Sequence, residues 1–130
     1  MANGVDGVNK PRRIKFDVEI YADTVCPWCY IGKKSLDSAI DTYTTRYPDD
    51  VFDIAWRPFI LWPNMAISAY DKLSPIVKMF GPVRAPGVFE RLEANGLEQG
   101  IRFQWRGRMG NSIDSHKLIM LAQEKDRAIA

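Results

Sequence analysis

The sequence predicts an α/β protein that opens on a strand–helix–strand unit and continues into helices. Three observations carry that expectation. Ile14-Lys15-Phe16-Asp17-Val18-Glu19-Ile20-Tyr21 alternates apolar and charged residues with the period of two of a half-buried strand. Leu36, Ile40 and Tyr43 follow at helical spacing, and Val51-Phe52-Asp53-Ile54-Ala55-Trp56-Arg57 then returns to β-favouring residues. The only two cysteines of the 130-residue chain, Cys26 and Cys29, fall where the first strand hands over to the helix.

Composition sets the bounds. With 46% apolar and 12% aromatic residues, the chain has enough material for the core of one small domain. Its net charge of +2 gives no general electrostatic case for nucleic acid or an anionic membrane. No window of membrane-spanning length is uniformly apolar, and Met1 to Arg13 lacks the apolar centre of a secretory signal. The expected location is therefore cytoplasmic, where a Cys-x-x-Cys pair points to redox or metal chemistry rather than a structural staple.

Taken in order, residues 1–13 are polar, with Gly4, Gly7 and Pro11, and read as a flexible leader. A unit over 14–62 follows. After the strand at about 14–21, residues 22–25 deliver the chain to Cys26, and Asp23 either caps the next helix or takes part in proton transfer to a buried sulfur. The helix at about 27–47 turns Ile31, Leu36, Ile40 and Tyr43 inward and Lys33, Lys34, Asp37 and Asp41 outward, with Gly32 suggesting close packing or a bend. Pro48-Asp49-Asp50 breaks it, and Pro58 stops the second strand. If the strands are parallel, the unit is a right-handed βαβ crossover. Phe59 to Pro63 reads as an irregular apolar segment packed on the sheet, the alternative being a substrate-facing Trp62.

Residues 63–130 change character. Helices are expected at about 69–80 and 88–99, separated by Gly81-Pro82 and Pro86-Gly87. Ile101 to Trp105 alternates like a short strand. Arg102, Arg106 and Arg108 form a basic cluster, either solvated or meeting an acidic peptide or carboxylate. Asn111 or Ser112 can begin a last helix that runs to the chain end.

A cysteine at a helix start faces free backbone N–H groups and the positive end of the dipole, which favour thiolate over thiol. Cys26 and Cys29 share a face of the opening turn, close enough for a reversible disulfide. Cys26 is expected to be the exposed, attacking sulfur and Cys29 the shielded, resolving one. Pro27 suits the first turn because it has no N–H to leave unpaired, and Trp28 frames the sulfur. Lys33 and Lys34 either help a thiolate or are simply solvated.

The run Asp23-x-Val25-Cys26-Pro27-Trp28-Cys29-Tyr30-Ile31-Gly32-Lys33, placed after a hydrophobic strand, resembles the active-site segment of the DsbA-like thioredoxin-fold oxidoreductases of the FrnE type. Trp56-Arg57-Pro58-Phe59 and Asn111-Ser112-x-x-Ser115-His116-Lys117-Leu118 also resemble segments of that family. The resemblance implies a thioredoxin-like βαβ unit with a helical insertion over 63–130, and dithiol–disulfide exchange by Cys26 and Cys29, tuned by Pro27 and Trp28. Asp23, Asn111 and the sole histidine, His116, would be accessory residues. His116 would lie near the cleft and assist thiol chemistry, the alternative being satisfied packing near the core. No cofactor is implied beyond glutathione as a reductant or ligand; the substrate would be a thiol or disulfide, peptide or small molecule.

The family's complete fold needs two further strands, a closing helix and a cis-proline loop beside the cysteine sulfur. None of the eight prolines stands where that loop would come. The expectation is that the C-terminal part of the fold is missing, that activity is open to doubt, and that an open sheet edge promotes self-association.

Other functions have their own tests. A zinc site shares the spacing but lacks a full ligand set, and so short a disulfide loop would add little stability as a static staple. Kappa-class glutathione transferases and chromene-carboxylate isomerases are similar in layout, though glutathione binding does not require the second cysteine. A non-catalytic interaction module is the remaining reading. Removal of Cys29 separates them: exchange collapses, glutathione binding can survive, and edge association is unaffected.

Overall fold

Alternation at the start of the chain produces β1 (Lys15–Ala22), whose charged residues are exposed and whose apolar residues are half-buried in strict succession. The computed structural model describes residues 13–67 and 70–125. The expected leader, Arg13 apart, and the chain beyond Lys125 lie outside the described residues. After β1 come α1 (Pro27–Arg46) and β2 (Val51–Pro58). The two strands pair in parallel from Lys15 opposite Val51 to Ala22 opposite Pro58, which makes the βαβ unit. An Arg57–Glu19 ion pair at 2.6 Å bridges their exposed face.

Aromatic packing fixes the crossover helix at its far end. Phe16 stacks on Phe52 at 4.7 Å, and the Tyr43 ring meets both edge-on at 5.5 Å. The Tyr43 hydroxyl donates to Asp50 (2.9 Å), whose other oxygen accepts the Ile14 N–H (2.8 Å). The turn after α1 is thus tied to the start of β1. Lys33 pairs with Asp37 one turn along the helix, at 2.9 Å. Gly32 is exposed, and a Cβ there would meet nothing within 4 Å, so the expected close packing is not found.

The second half is helical but differs from the sequence expectation in three places. The helix expected from residue 69 begins at Leu73 as α2 (Leu73–Phe80), because Asp71 Oδ1 accepts the Leu73 N–H at 2.9 Å and starts the turn there. The residues just before it, Tyr70–Asp71, form β3 instead, paired antiparallel with β4 (Arg108–Met109). α3 (Ala85–Glu98) starts three residues earlier than expected, with Pro86 in its first turn, where a missing N–H costs nothing. Ile101 to Trp105 forms no ladder. Its alternation is a burial pattern all the same, with Ile101 buried and Phe103 and Trp105 packed on the core.

That core lies between α1 and α3. Ile31, Leu92 and Ile101 form its buried centre, with Val88, Phe103 and Trp105 packed around it. Gly96 allows the approach: a Cβ there would sit 2.7 Å from the Phe103 ring. The last element among the described residues is α4 (Ile113–Lys125), which packs against β2. Gln123 of α4 accepts from the Trp56 N–H (2.6 Å) and donates to the Trp56 carbonyl (3.1 Å), as a neighbouring strand would.

Candidate active site

Cys26 is the N-cap of α1, with extended backbone (φ −92°, ψ 111°) and no side-chain cap bond. Its carbonyl accepts from the Cys29 N–H (3.1 Å) and the Tyr30 N–H (3.3 Å), and Pro27 opens the helix. Its own N–H donates to the Asp23 carbonyl at 3.1 Å, closing a tight turn between strand and helix. Both cysteines are free thiols and partly buried.

The electrostatics at Cys26 reverse the sequence expectation. Burial pushes its thiol up to about 11, and the hydrogen bond to the Cys29 sulfur, available only while Cys26 keeps its proton, pushes the same way. The Cys29 and Trp28 N–H groups favour the thiolate, as helix-start geometry should, but return less than burial removes. In the dithiol the proton therefore stays on Cys26 at neutral pH.

Behind the cysteines lies a buried polar hub. Asp23, only 1% exposed, does not cap α1. Its Oδ2 accepts the Leu61 N–H at 2.6 Å, and its Oδ1 lies 3.1 Å from His116 Nε2 and accepts the Val25 N–H at 3.4 Å. The Ser112 hydroxyl also bonds this carboxylate. Burial alone would raise the Asp23 pKa, but its bonds to Leu61, Ser112, Val25 and His116 outweigh burial and hold it below the usual carboxylate value. His116 is 3% exposed, and its Nδ1 is buried without a partner. Next to the hub, the hydroxyls of Thr24 and Ser115 are 2.6 Å apart.

The first turn of α4 thus grips the residues that deliver Cys26. Asn111 sits beside this network: its side-chain N–H donates to the Met65 carbonyl (2.8 Å), and its Oδ1 accepts the Ile113 N–H (2.9 Å) at the start of α4. Ser112, Ser115, Thr24 and the Leu61 N–H carried no signal in the sequence that would have joined them to Asp23.

Cys26 opens onto a groove of about 480 Å³ between the βαβ unit and α2–α3, and Cys29 does not line it. Trp28 and Trp62 form part of its wall, together with Ile76, Phe80 and Trp105. Trp62 thus faces the groove. Of the basic cluster only Arg108 reaches the groove; Arg102 and Arg106 do not. Among the described residues no three Cys, His, Asp or Glu side chains are placed to hold a metal ion, and no helix is long and apolar enough to cross a membrane.

A parallel βαβ unit whose helix opens on Cys-x-x-Cys, followed by a helical region, defines a protein of the thioredoxin fold. Residues 17–130 match the model of the DSBA-like thioredoxin domain, and the chain belongs to that family. It is similar to the crystal structure of a probable DsbA oxidoreductase from Streptomyces coelicolor, at 29% identity and a TM-score of 0.71. That likeness covers 85% of this chain and 48% of the other, so the chain spans about half its length. No curated protein matches the chain.

Proposed function

We propose that the chain carries out dithiol–disulfide exchange, with Cys26 as the exchanging sulfur and Cys29 as the resolving one. The observation that carries this reading is that both sulfurs occupy the opening turn of α1 while only Cys26 lines the groove. The Cys26 thiolate attacks a substrate disulfide, one substrate thiolate leaves, and a mixed disulfide forms. Cys29 then attacks Cys26, releasing the second substrate thiolate and closing the Cys26–Cys29 disulfide. The two thiol protons pass to the released thiolates or to solvent. The protein is oxidised by two electrons and the substrate reduced by two; the reverse reaction oxidises a substrate dithiol.

Pro27 and Trp28 tune the exchange by setting helix-start geometry and solvation, and glutathione serves as a reductant. The FrnE-type affiliation, supported by the Cys-Pro-Trp-Cys-Tyr-Ile-Gly run, and a cytoplasmic location belong to the same proposal.

The test is trapping. Cys29→Ala should accumulate a stable mixed disulfide on Cys26 when mixed with a disulfide substrate, and Cys26→Ala should form none. Unchanged turnover in Cys29→Ala would sink the reading and turn attention to glutathione binding.

A further inference from the structure

The groove beside Cys26 has a chemical character that goes beyond exchange in general. Its walls are predominantly apolar, among them Trp28, Phe80 and Trp105. Among the described residues, the charged ones that line it are both cations, Lys72 and Arg108, and no Asp or Glu lines it. The nearby acid Glu93 accepts from Nε1 of the wall residue Trp105 and does not itself line the groove. Lys72 Nζ donates to the Gln104 carbonyl at 3.2 Å, and no carboxylate among the described residues forms an ion pair with it. An ammonium over apolar walls is screened less than one in open water, so it selects for negative charge.

We propose, resting on the exchange reading above, that the groove takes a small thiol or disulfide whose non-reacting part is an aromatic group carrying a carboxylate. The sulfur meets Cys26, the ring lies on the aromatic wall, and the carboxylate meets Lys72, with Arg108 lining the same groove. About 480 Å³ suits a ligand of this size. An extended peptide would bring a row of amide groups to walls that offer them few partners. Glutathione, polar along its whole length, would leave those walls unused.

The experiment follows oxidation of the reduced chain by three probes: a bis(carboxyphenyl) disulfide, its neutral carboxamide counterpart, and hydroxyethyl disulfide. Each rate constant is divided by that of a free small thiol, which removes intrinsic reactivity. Both aryl probes should exceed hydroxyethyl disulfide, and the carboxylate should exceed the carboxamide by roughly threefold to tenfold at low salt, an advantage that salt erodes. Lys72→Gln should bring that ratio near one and Lys72→Glu should invert it. Met79→Glu, on another part of the groove wall, should also lower it.

Unfolded chain reacts as an unselective thiol and draws the ratio toward one, so each variant is first shown to be folded by circular dichroism; inversion in Lys72→Glu is an outcome that unfolding cannot produce. A ratio of one in the parent chain, or one that Lys72→Gln and Met79→Glu leave unchanged, would overturn the proposal while the exchange reading stands. Failure of all three probes, hydroxyethyl disulfide included, to oxidise the cysteines would overturn both.

Discussion

Replacing Asp23 should reveal how much of the molecule hangs on one buried carboxylate. Asp23→Ala strips the acceptor from the Leu61 N–H, the Ser112 hydroxyl and His116 Nε2, all in a site where Asp23 itself is 1% exposed. A buried donor left unpaired costs about 1–3 kcal/mol, and with partial relaxation the expected total is roughly 3–5 kcal/mol. Asp23→Asn keeps one oxygen for Leu61 but turns an NH2 towards another donor. His116 can meet it by moving its proton to Nδ1, which is buried and has no partner. One unpaired donor then replaces several, for a cost of about 1–3 kcal/mol. Urea unfolding followed by circular dichroism gives both values.

A double-mutant cycle of Asp23→Asn with His116→Leu should show coupling above about 0.5 kcal/mol, the range in which independent sites add. Additive behaviour, or an Asp23→Asn variant as stable as the parent, would refute the hub. The sign of the pH effect follows from the carboxyl's lowered pKa. Its stabilisation is fully present above the unfolded value of about 3.9 and is lost as pH falls through the lower folded value. Asp23→Asn should therefore flatten the acid limb of the stability curve.

Four other substitutions test separate parts of the structure. Cys29→Ala removes the sulfur that, after burial, does most to raise Cys26, so thiolate absorbance should show Cys26 titrating below about 11; in the parent, alkylation of Cys26 should rise about tenfold per pH unit through neutrality. Gly96→Ala forces a Cβ to 2.7 Å from Phe103 and 3.1 Å from the Ile101 carbonyl and should cost about 1–3 kcal/mol in thermal unfolding, whereas Gly32→Ala, in open space within a helix, should gain about 0.5–1 kcal/mol. Gln123→Ala frees the backbone groups of Trp56 and should cost roughly 1–2 kcal/mol. It should also raise the dimer fraction in sedimentation if the edge of β2 is a site of self-association.

The parts of the fold legible in the sequence are those set by local periodicity. The alternation of residues 14–21 and the spacing of Ile31, Leu36, Ile40 and Tyr43 specified β1 and the inward face of α1, and Pro58 marked the end of β2. Of the misread positions, two were decided by tertiary packing or pairing, while the starts of α2 and α3 were set by local turn chemistry at Asp71 and Pro86. Ile101 to Trp105 alternates because it packs on α3, a cause that leaves the same trace as a strand. Tyr70–Asp71 pairs with Arg108–Met109 in a ladder too short to show in composition. The cysteine pair was legible as a motif, but the sign of the shift at Cys26 was not. The helix start is a local feature, whereas burial depends on the tertiary surroundings.

The same division runs through the site. Asp23 and His116 are 93 residues apart in the chain; alone, Asp23 reads as a helix cap or a proton-transfer group, and His116 as a cleft residue or as satisfied packing near the core. Brought together, they explain why the turn before Cys26 holds its shape without a side-chain cap on α1. The carboxylate of Asp23 takes the N–H of Leu61 after β2 and the side chains at the start of α4, while its main-chain carbonyl takes the N–H of Cys26. Thr24 and Ser115 repeat the connection one residue along each element. A shift of α4 would therefore reach Cys26 through two adjacent links, and the chemistry of a local motif depends on the helix farthest from it in sequence.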